Sequence, residues 1–189
     1  SSTGVGSIDS VIQANTTAGF SIVQYEATGS AGTIAHGLSQ APTFMIVKSR
    51  DQNGTTWVVY YGDNTDYIRL NATNATADDA NAWNDTSPTS TVFSVGANGG
   101  DTNNSSGGSM IAYVFHDVEG YSKFGSYISN NIIDGPFVYT GFKPAFILSK
   151  RTSSTNDWGI WDKLRRTDFN PRDESIRANS NNAAYSTDT

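Results

Sequence analysis

The feature that most constrains the fold of this chain is a short apolar run that occurs twice. "APTFMIVKSR" at 41–50 returns as "KPAFILSKR" at 143–151. Two residue pairs keep one common interval, Pro42 with Pro144 and Lys48 with Lys150. A match that keeps its spacing through the flanking residues indicates an internal repeat, because a chance match of one apolar run does not extend to its neighbours.

Further similarities occur in the same order in both parts of the chain. They are Gly19-Phe20-Ser21 with Gly120-Tyr121-Ser122, "HGLSQAP" with "TGFKP", Trp57 with Trp158, and "YIRLNAT" with "SIRANSN". This order predicts a lead-in segment at 1–19, a first β-repeat at 20–119 and a second β-repeat at 120–189. The second repeat has no counterpart of "STVFSVG" or "MIAYVFHDV". We therefore expect it to be incomplete here, and the natural chain to continue for about 30 residues more.

The repeated runs have the character of buried β-strands. "FMIVK" and "FILSK" are apolar, contain β-branched or aromatic residues, and are bounded by turn residues. No stretch has the i, i+3, i+4, i+7 apolar spacing of an amphipathic helix, although 76–84 can form a short helical turn. The chain is therefore predicted to be all-β, a jelly-roll-like β-sandwich built from two related halves that share one core.

The repeat also makes predictions about single residues. The proline of each repeated run should begin a strand, where a missing N–H is tolerated. The phenylalanines that follow, Phe44 and Phe146, should be buried in matching environments. Trp57 and Trp158 should lie on the neighbouring strands of two hairpins and pack toward the same core.

Composition argues against several functional classes. The net charge is −6, and the only concentrated basic stretch is "KLRRTDFNPR", so nucleic-acid binding is not expected. The chain has no cysteine, which excludes disulfides and thiolate chemistry. No apolar run approaches the roughly 18 residues of a membrane-spanning helix, so membrane insertion is not expected. Charged residues are only 16% of the chain, and its hydroxyl and amide polarity is typical of extracellular and virion β-proteins.

A family resemblance follows from the longer motifs. The string "SIDSVIQANTTAGFSIVQYEATGSAGTIAHGLSQAPTFMIVKSRD", followed by "WVVYY", resembles a domain common in tail-fibre and other virion structural proteins of marine bacteriophages, including cyanophages. "VEGYSKFGSY" and "DGPFVYTGFKP" extend the resemblance over nearly the whole chain. The resemblance implies a virion location, a fibre-like role, contact with other virion proteins and a homo-oligomer, expected to be a trimer. It supplies no catalytic or ligand-binding residues.

Trp83 and Tyr61 are the candidate ligand-binding residues. Neither has a clear counterpart in the other repeat, and both lie beside polar loops, where an aromatic ring can stack on a sugar. The recurring pair Trp57 and Trp158 is better explained by core packing.

No catalytic residue, metal ligand or cofactor is predicted. His36 precedes a strand and is interpreted as a turn residue. His116 and Asp117 are adjacent in a strand, so their side chains point to opposite faces and cannot form a dyad. Adjacent carboxylates such as Asp78 and Asp79 lack the facing separation of roughly 5–10 Å that glycoside hydrolysis needs.

The leading hypothesis is a non-enzymatic virion module, part of a tail fibre, that builds the fibre and contacts glycans on the host surface. One alternative is the polysaccharide depolymerase domain of a tailspike. The other is a secreted bacterial adhesin or carbohydrate-binding module.

Overall fold

The computed structural model describes residues 4–97, 100–104, 107–132, 134–164 and 174–184, which form antiparallel β-sheets and one short helix. In chain order the elements are β1 (Ser10–Asn15), β2 (Phe20–Glu26), β3 (Gly32–Ala35), β4 (Phe44–Ser49), β5 (Val58–Tyr60), β6 (Asp66–Arg69), β7 (Ala77–Asp78), α1 (Ala80–Trp83), β8 (Val92–Val95), β9 (Ser109–Phe115), β10 (Phe146–Lys150), β11 (Trp158–Asp162) and β12 (Ile176–Arg177). The predicted all-β, sandwich-like fold is confirmed, and α1 lies where the short helical turn was expected. Within the described ranges, no helix has the length and apolar character needed to span a membrane.

The main sheet has seven strands in the order β1-β2-β9-β4-β5-β6-β7. β9 lies between β2 and β4 and is antiparallel to both, so Phe115 pairs with Phe20 on one side and with Phe44 on the other. Successive side chains of a strand point to opposite faces. The face that carries Met110, Ala112 and Val114 of β9 is the inner face, and the opposite one is the outer face.

The inner face carries the main core. The two-stranded sheet of β3 and β8 and the helix α1 cover it, and Ile34, Phe93 and Trp83 from these elements are almost fully buried against it. Asp79 caps α1, because its side chain accepts a hydrogen bond from the Asn81 N–H at 2.9 Å. Burial of so many large apolar side chains is the main source of stability for a domain of this size.

The three-stranded sheet β10-β11-β12 packs on the outer face of β4, β5 and β6. Trp158 is only 2% exposed, and its indole N–H donates to the Arg69 carbonyl oxygen at 2.8 Å. The apolar residues at this contact form the outer cluster: Val59, Ile68, Trp158, Phe44, Ile46, Tyr61, Leu70 and Leu148.

Two three-stranded units have the same strand order and register. The first unit is β4-β5-β6, and the second unit is β10-β11-β12. In the first, Val58 pairs with Arg69 and Val59 with Ile68; in the second, Gly159 pairs with Arg177 and Ile160 with Ile176. These pairs match the alignment of "YIRLNAT" with "SIRANSN" and of Trp57 with Trp158.

Equivalent hydrogen bonds accompany the shared register. The backbone N–H of Trp57 donates to Asn71 Oδ1 at 3.0 Å, and that of Trp158 donates to Asn179 Oδ1 at 2.7 Å. Lys48 and Lys150 each donate from Nζ to the carbonyl oxygen of the next residue. Pro42 and Pro144 each stand two residues before a strand, so neither begins one as predicted, although their positions relative to the strands are the same. The geometry agrees with the repeat alignment, and the origin of the two units by duplication stays a prediction.

The surroundings of the two units differ from the prediction. Phe44 is half-buried, whereas Phe146 is 59% exposed, so the expected matching environments are wrong. The reason is that β9 flanks β4, while no strand among the described residues pairs with the other side of β10. Trp57 is half-buried and belongs to neither core cluster, so it does not share a core with Trp158.

The lead-in predicted at 1–19 contains a strand of the main sheet. β1 pairs along its whole length with β2, and Ile8 is buried in the main core. The buried residues of that core all fall between 8 and 114, while the second unit contributes to the outer cluster instead. The halves therefore meet at a secondary cluster rather than around one common core.

Candidate functional site

The outer face of β1, β2, β9 and β4 carries aromatic, aliphatic and amide side chains in three rows across the strands. The first row is Asn15, Phe20, Phe115 and Phe44; the second is Gln13, Ile22, Tyr113 and Ile46; the third is Val11, Gln24, Ile111 and Lys48. Rows form because residues opposite each other in paired strands point to the same side of the sheet.

The first row is closed by a fourth phenylalanine. Phe124 stacks on Phe44 with ring centroids 5.2 Å apart and planes 10° apart, and Phe20 stacks on Phe115 at 4.7 Å. Asp117 holds Phe124 in place, since its Oδ1 accepts the Phe124 N–H at 2.9 Å. This end of the outer face is therefore a packed aromatic layer.

The middle of the outer face carries a second aromatic pair. Trp57 and Tyr113 are both half-buried, and their rings lie nearly parallel, 15° apart, with centroids separated by 6.5 Å. Asn71 fixes the backbone at Trp57. Lys48 is held nearby through a hydrogen bond from Nζ to Thr55 Oγ1 at 2.5 Å. We call Trp57, Tyr113 and Lys48 the aromatic platform.

A shallow groove adjoins the aromatic platform at the β1–β2 hairpin. Its lining includes Gln13, Asn15, Phe20 and Ile22. Ile22 is paired with both Gln13 and Tyr113, so the groove and the platform are continuous along one row. Flat rings beside amide and ammonium groups suit a sugar, which offers an apolar ring face and hydroxyl groups.

The two candidate ligand-binding residues do not form a joint site. Trp83 is 1% exposed and packs edge-on against Tyr60 in the main core, so its predicted surface role is wrong. The polar loop beside Trp83 suggested exposure, but α1 turns the ring inward.

Tyr61 lies on the opposite side of the main sheet, half-buried at the outer cluster. Its hydroxyl donates to Asp66 Oδ2 at 3.2 Å, and the pKa of Tyr61 is raised, first by burial and then by the nearby Asp66 charge. The side chain is therefore anchored within the fold rather than free to contact a ligand.

The carboxylates of the loops accept hydrogen bonds that fix turns. Asp51 accepts the Ser109 N–H, which lowers the pKa of Asp51, and Asp63 accepts the N–H and hydroxyl of Thr65, which lowers its pKa too. Asp79 caps α1, whereas Asp78 is exposed on β7. Nowhere in the described ranges do three or more His, Cys, Asp or Glu side chains group in a way that could hold a metal ion.

The two histidines also serve the fold. His36 is fully buried; its Nδ1 accepts the Leu38 N–H at 3.1 Å, and its Nε2 lies 3.1 Å from the Thr89 carbonyl oxygen. Burial is the main cause that lowers the pKa of His36, which keeps the ring neutral. His116 contacts the Asp117 carbonyl oxygen through Nδ1 at 2.7 Å, while the Asp117 carboxylate faces Thr43 and Phe124.

Sequence reasoning missed Tyr113 and Ile22 as surface residues. The alternation in "MIAYVFHDV" places Ile111, Tyr113 and Phe115 on one face, which is a readable signal. What the pattern could not give is the pairing of β9 with both β2 and β4, and that pairing assembles the rows.

A family model matches the chain over residues 1–189, and its description is a domain of unknown function, DUF7483. No curated protein and no solved structure matches the chain.

Proposed function

We propose that this chain, which belongs to the DUF7483 family, is a non-enzymatic structural module of a phage virion, part of a tail fibre. The observation that carries the proposal is the modular β-architecture. Two three-stranded units with one register and equivalent hydrogen bonds are packed on each other through the outer cluster. Repeated β-units suit an elongated fibre, and the motif resemblance points to the same class of protein.

The aromatic platform supports a second part of the proposal, contact with host surface glycans. Trp57 and Tyr113 stack on each other, and the sheet and Asn71 hold them in place, so a sugar ring meets a surface that is already ordered. A preformed surface avoids part of the entropy cost of binding. Lys48 and Gln24 lie in the neighbouring row and offer hydrogen bonds to hydroxyl groups.

The usage of carboxylates favours the structural role over the depolymerase alternative. Asp51, Asp63, Asp101 and Asp117 each accept hydrogen bonds from a neighbouring loop or turn. Hydrolysis of a glycosidic bond needs two carboxyl groups that face each other across the substrate.

Immuno-electron microscopy tests the virion location. Antibodies raised against the purified domain should label the tails of phage particles from the source culture. Absence of label from intact particles, with label on cell-surface material instead, would support a secreted adhesin or carbohydrate-binding module. Capsid and tail genes beside the coding sequence would argue against that alternative.

A reducing-end assay tests the enzymatic alternative. The domain incubated with host-derived polysaccharide should release no new reducing ends. Sustained turnover that one Asp or Glu substitution abolishes would overturn the structural proposal.

Assembly into a homo-oligomer, a trimer, is part of the same proposal. Sedimentation velocity of the purified chain measures it directly. A species of three chains is expected, and a monomer at micromolar concentration would contradict this part.

A further inference from the structure

The loop between β4 and β5 carries an asparagine followed directly by a glycine. The chain has two such pairs, at 53–54 and 98–99, and the first lies within the described residues. Asn53 and Gly54 occupy the two central positions of a turn, and both are exposed. The φ of Gly54 is +79°, and a Cβ at this glycine would meet nothing within 4 Å. The peptide unit between the two residues therefore has open space around it and can rotate.

Hydrogen bonds fix the loop on both sides of this tip. Ser49 Oγ accepts the Gln52 N–H at 3.1 Å, and Thr55 Oγ1 donates to the Gln52 carbonyl oxygen at 3.2 Å. Lys48 joins the same network, since its Nζ donates to Thr55 Oγ1. No hydrogen bond between described residues involves the Asn53 side chain or the Gly54 N–H. The turn is therefore closed at its base and unrestrained at its tip.

We propose that Asn53 is a site of spontaneous modification, at which the side-chain amide becomes a carboxylate through a cyclic imide. The Gly54 backbone nitrogen attacks Cγ of Asn53, the bond from Cγ to the amide nitrogen breaks, and the amide NH₂ leaves with the Gly54 proton as ammonia. Water then opens the five-membered ring at either carbonyl carbon, which gives aspartate or isoaspartate at position 53. One water is consumed and one ammonia is released. Glycine favours the attack because it has no side chain that obstructs the nitrogen.

The products differ from asparagine in charge and in backbone length. Both carry a carboxylate, and isoaspartate also adds a methylene to the main chain, inside a turn whose base is fixed by Ser49 and Thr55. The longer backbone should break the hydrogen bond from Thr55 to Gln52 and displace the Thr55 hydroxyl from Lys48. Lys48 belongs to the aromatic platform, so its contact with glycans should change too. Only this last consequence rests on the proposed function.

Peptide mapping of the aged protein tests the modification. The folded chain is incubated in mildly alkaline buffer, which favours the deprotonated backbone nitrogen. Tryptic peptides are then analysed by mass spectrometry with fragmentation that distinguishes aspartate from isoaspartate. Asn53 should convert before every other described asparagine, with isoaspartate as the main product. Asn74 is the control within the chain, since it is also exposed but is followed by alanine, and it should stay unmodified while Asn53 converts.

A matched variant connects the modification to the loop. Asn53→Gln should abolish conversion at this position, because the corresponding six-membered imide forms far more slowly. Hydrogen exchange in the β4–β5 hairpin should become faster in the aged wild-type protein and stay unchanged in the aged Asn53→Gln variant. Conversion of Asn53 without any change in hydrogen exchange would overturn the predicted displacement at Lys48 and would leave the modification site standing.

A synthetic peptide of residues 49–57 gives the rate for Asn53 without the fold. A comparable rate in the folded protein supports the proposal, because it shows that the loop leaves the reaction open. Much slower conversion in the folded protein would show that the fold protects Asn53 and would overturn the proposal. Conversion of Asn74 before Asn53 would overturn it as well, since a feature other than the glycine would then select the site.

Discussion

The indole N–H of Trp158 donates a hydrogen bond to the Arg69 carbonyl oxygen at 2.8 Å, and this bond joins β11 to the main sheet. Arg69 is the last residue of β6, so its carbonyl lies where the main sheet meets the outer cluster. The same tryptophan fills that cluster against Val59 and Ile68.

Trp158→Ala should lower the free energy of unfolding by about 3–5 kcal/mol, because loss of a large buried ring leaves a cavity. Urea denaturation followed by far-UV circular dichroism measures the change. Trp57→Ala is the control; its half-buried ring lies outside both core clusters, so its loss should cost clearly less. Equal costs for the two variants would mean that the different environments of the two residues have no energetic consequence.

Trp83→Phe should cost much less than Trp83→Ala. Trp83 Nε1 is buried and has no hydrogen-bond partner, so phenylalanine removes an unsatisfied donor while it keeps most of the ring volume. Truncation to alanine should cost about 3–5 kcal/mol. Thermal unfolding of the two variants side by side provides the comparison, and a similar loss in both would show that the indole N–H does have a stabilising role.

Gly96→Ala should destabilise the domain by about 1–3 kcal/mol, because a methyl group cannot fit there without moving backbone. A Cβ at Gly96 would lie 2.5 Å from Asn81 Cα and 2.6 Å from the Ala80 carbonyl oxygen, both in α1. Gly125→Ala is the matched control, because a Cβ there meets nothing within 4 Å. Chemical denaturation should separate the two variants, and an unchanged midpoint for Gly96→Ala would refute the close packing of β8 on α1.

Tyr113→Ala and Trp57→Ala should each weaken glycan binding, if the aromatic platform is the contact surface. An aromatic contact is worth about 0.5–1.5 kcal/mol, which is up to about a tenfold change in Kd. Glycan-array screening followed by calorimetry with the strongest glycan measures it. Tyr121→Ala is the control, since Tyr121 is 66% exposed, stands outside the three rows and should not affect binding. Loss of binding in the Tyr121 variant alone would place the contact elsewhere.

His36 should make stability depend on pH in mildly acidic solution. Burial lowers the pKa of His36 below its ordinary value of 6.5, so the unfolded chain binds a proton more readily than the folded one. The contribution of His36 to the free energy of unfolding is therefore fully present above pH 6.5 and is lost as the pH falls below this value. The free energy of unfolding of the wild-type protein should decrease between about pH 7.5 and about pH 5, and His36→Gln should flatten this dependence. An unchanged slope in the variant would assign the effect to other groups.

The all-β class and the hairpins could be read from local sequence. "FMIVK" and "WVVYY" alternate as strands do, and the repeat alignment anticipated the shared register of the two units. Burial could not be read in the same way, because it depends on which strand lies next to which. Phe44 and Phe146 occupy matching positions, yet only β4 has β9 beside it.

The candidate site shows the same limit. Trp83 was placed at the surface from its polar neighbours, but α1 and the Asp79 cap turn it into the main core. The alternating sequence around Tyr113 predicts a strand, but the role of Tyr113 in the aromatic platform depends on Trp57, whose ring contacts it across β4. The positions of Trp83 and Tyr113 both depend on contacts between residues that are distant in the sequence, and local composition does not predict such contacts.

The position of β9 has a consequence for how the chain acquires its structure. β9 lies between β2 and β4, so the main sheet is incomplete until β9 pairs with both. Phe115 then pairs with Phe20, which is distant from it in the sequence. Contacts between residues so distant in sequence slow the search for the native state, since the chain loses the entropy of a large loop before the contact forms. On the ribosome, β1–β2 and β4–β7 emerge before β9, the strand that joins these two groups in the main sheet. Refolding should therefore be limited by the arrival of β9, and mutations in β9 should slow folding more than mutations of equal cost in β1.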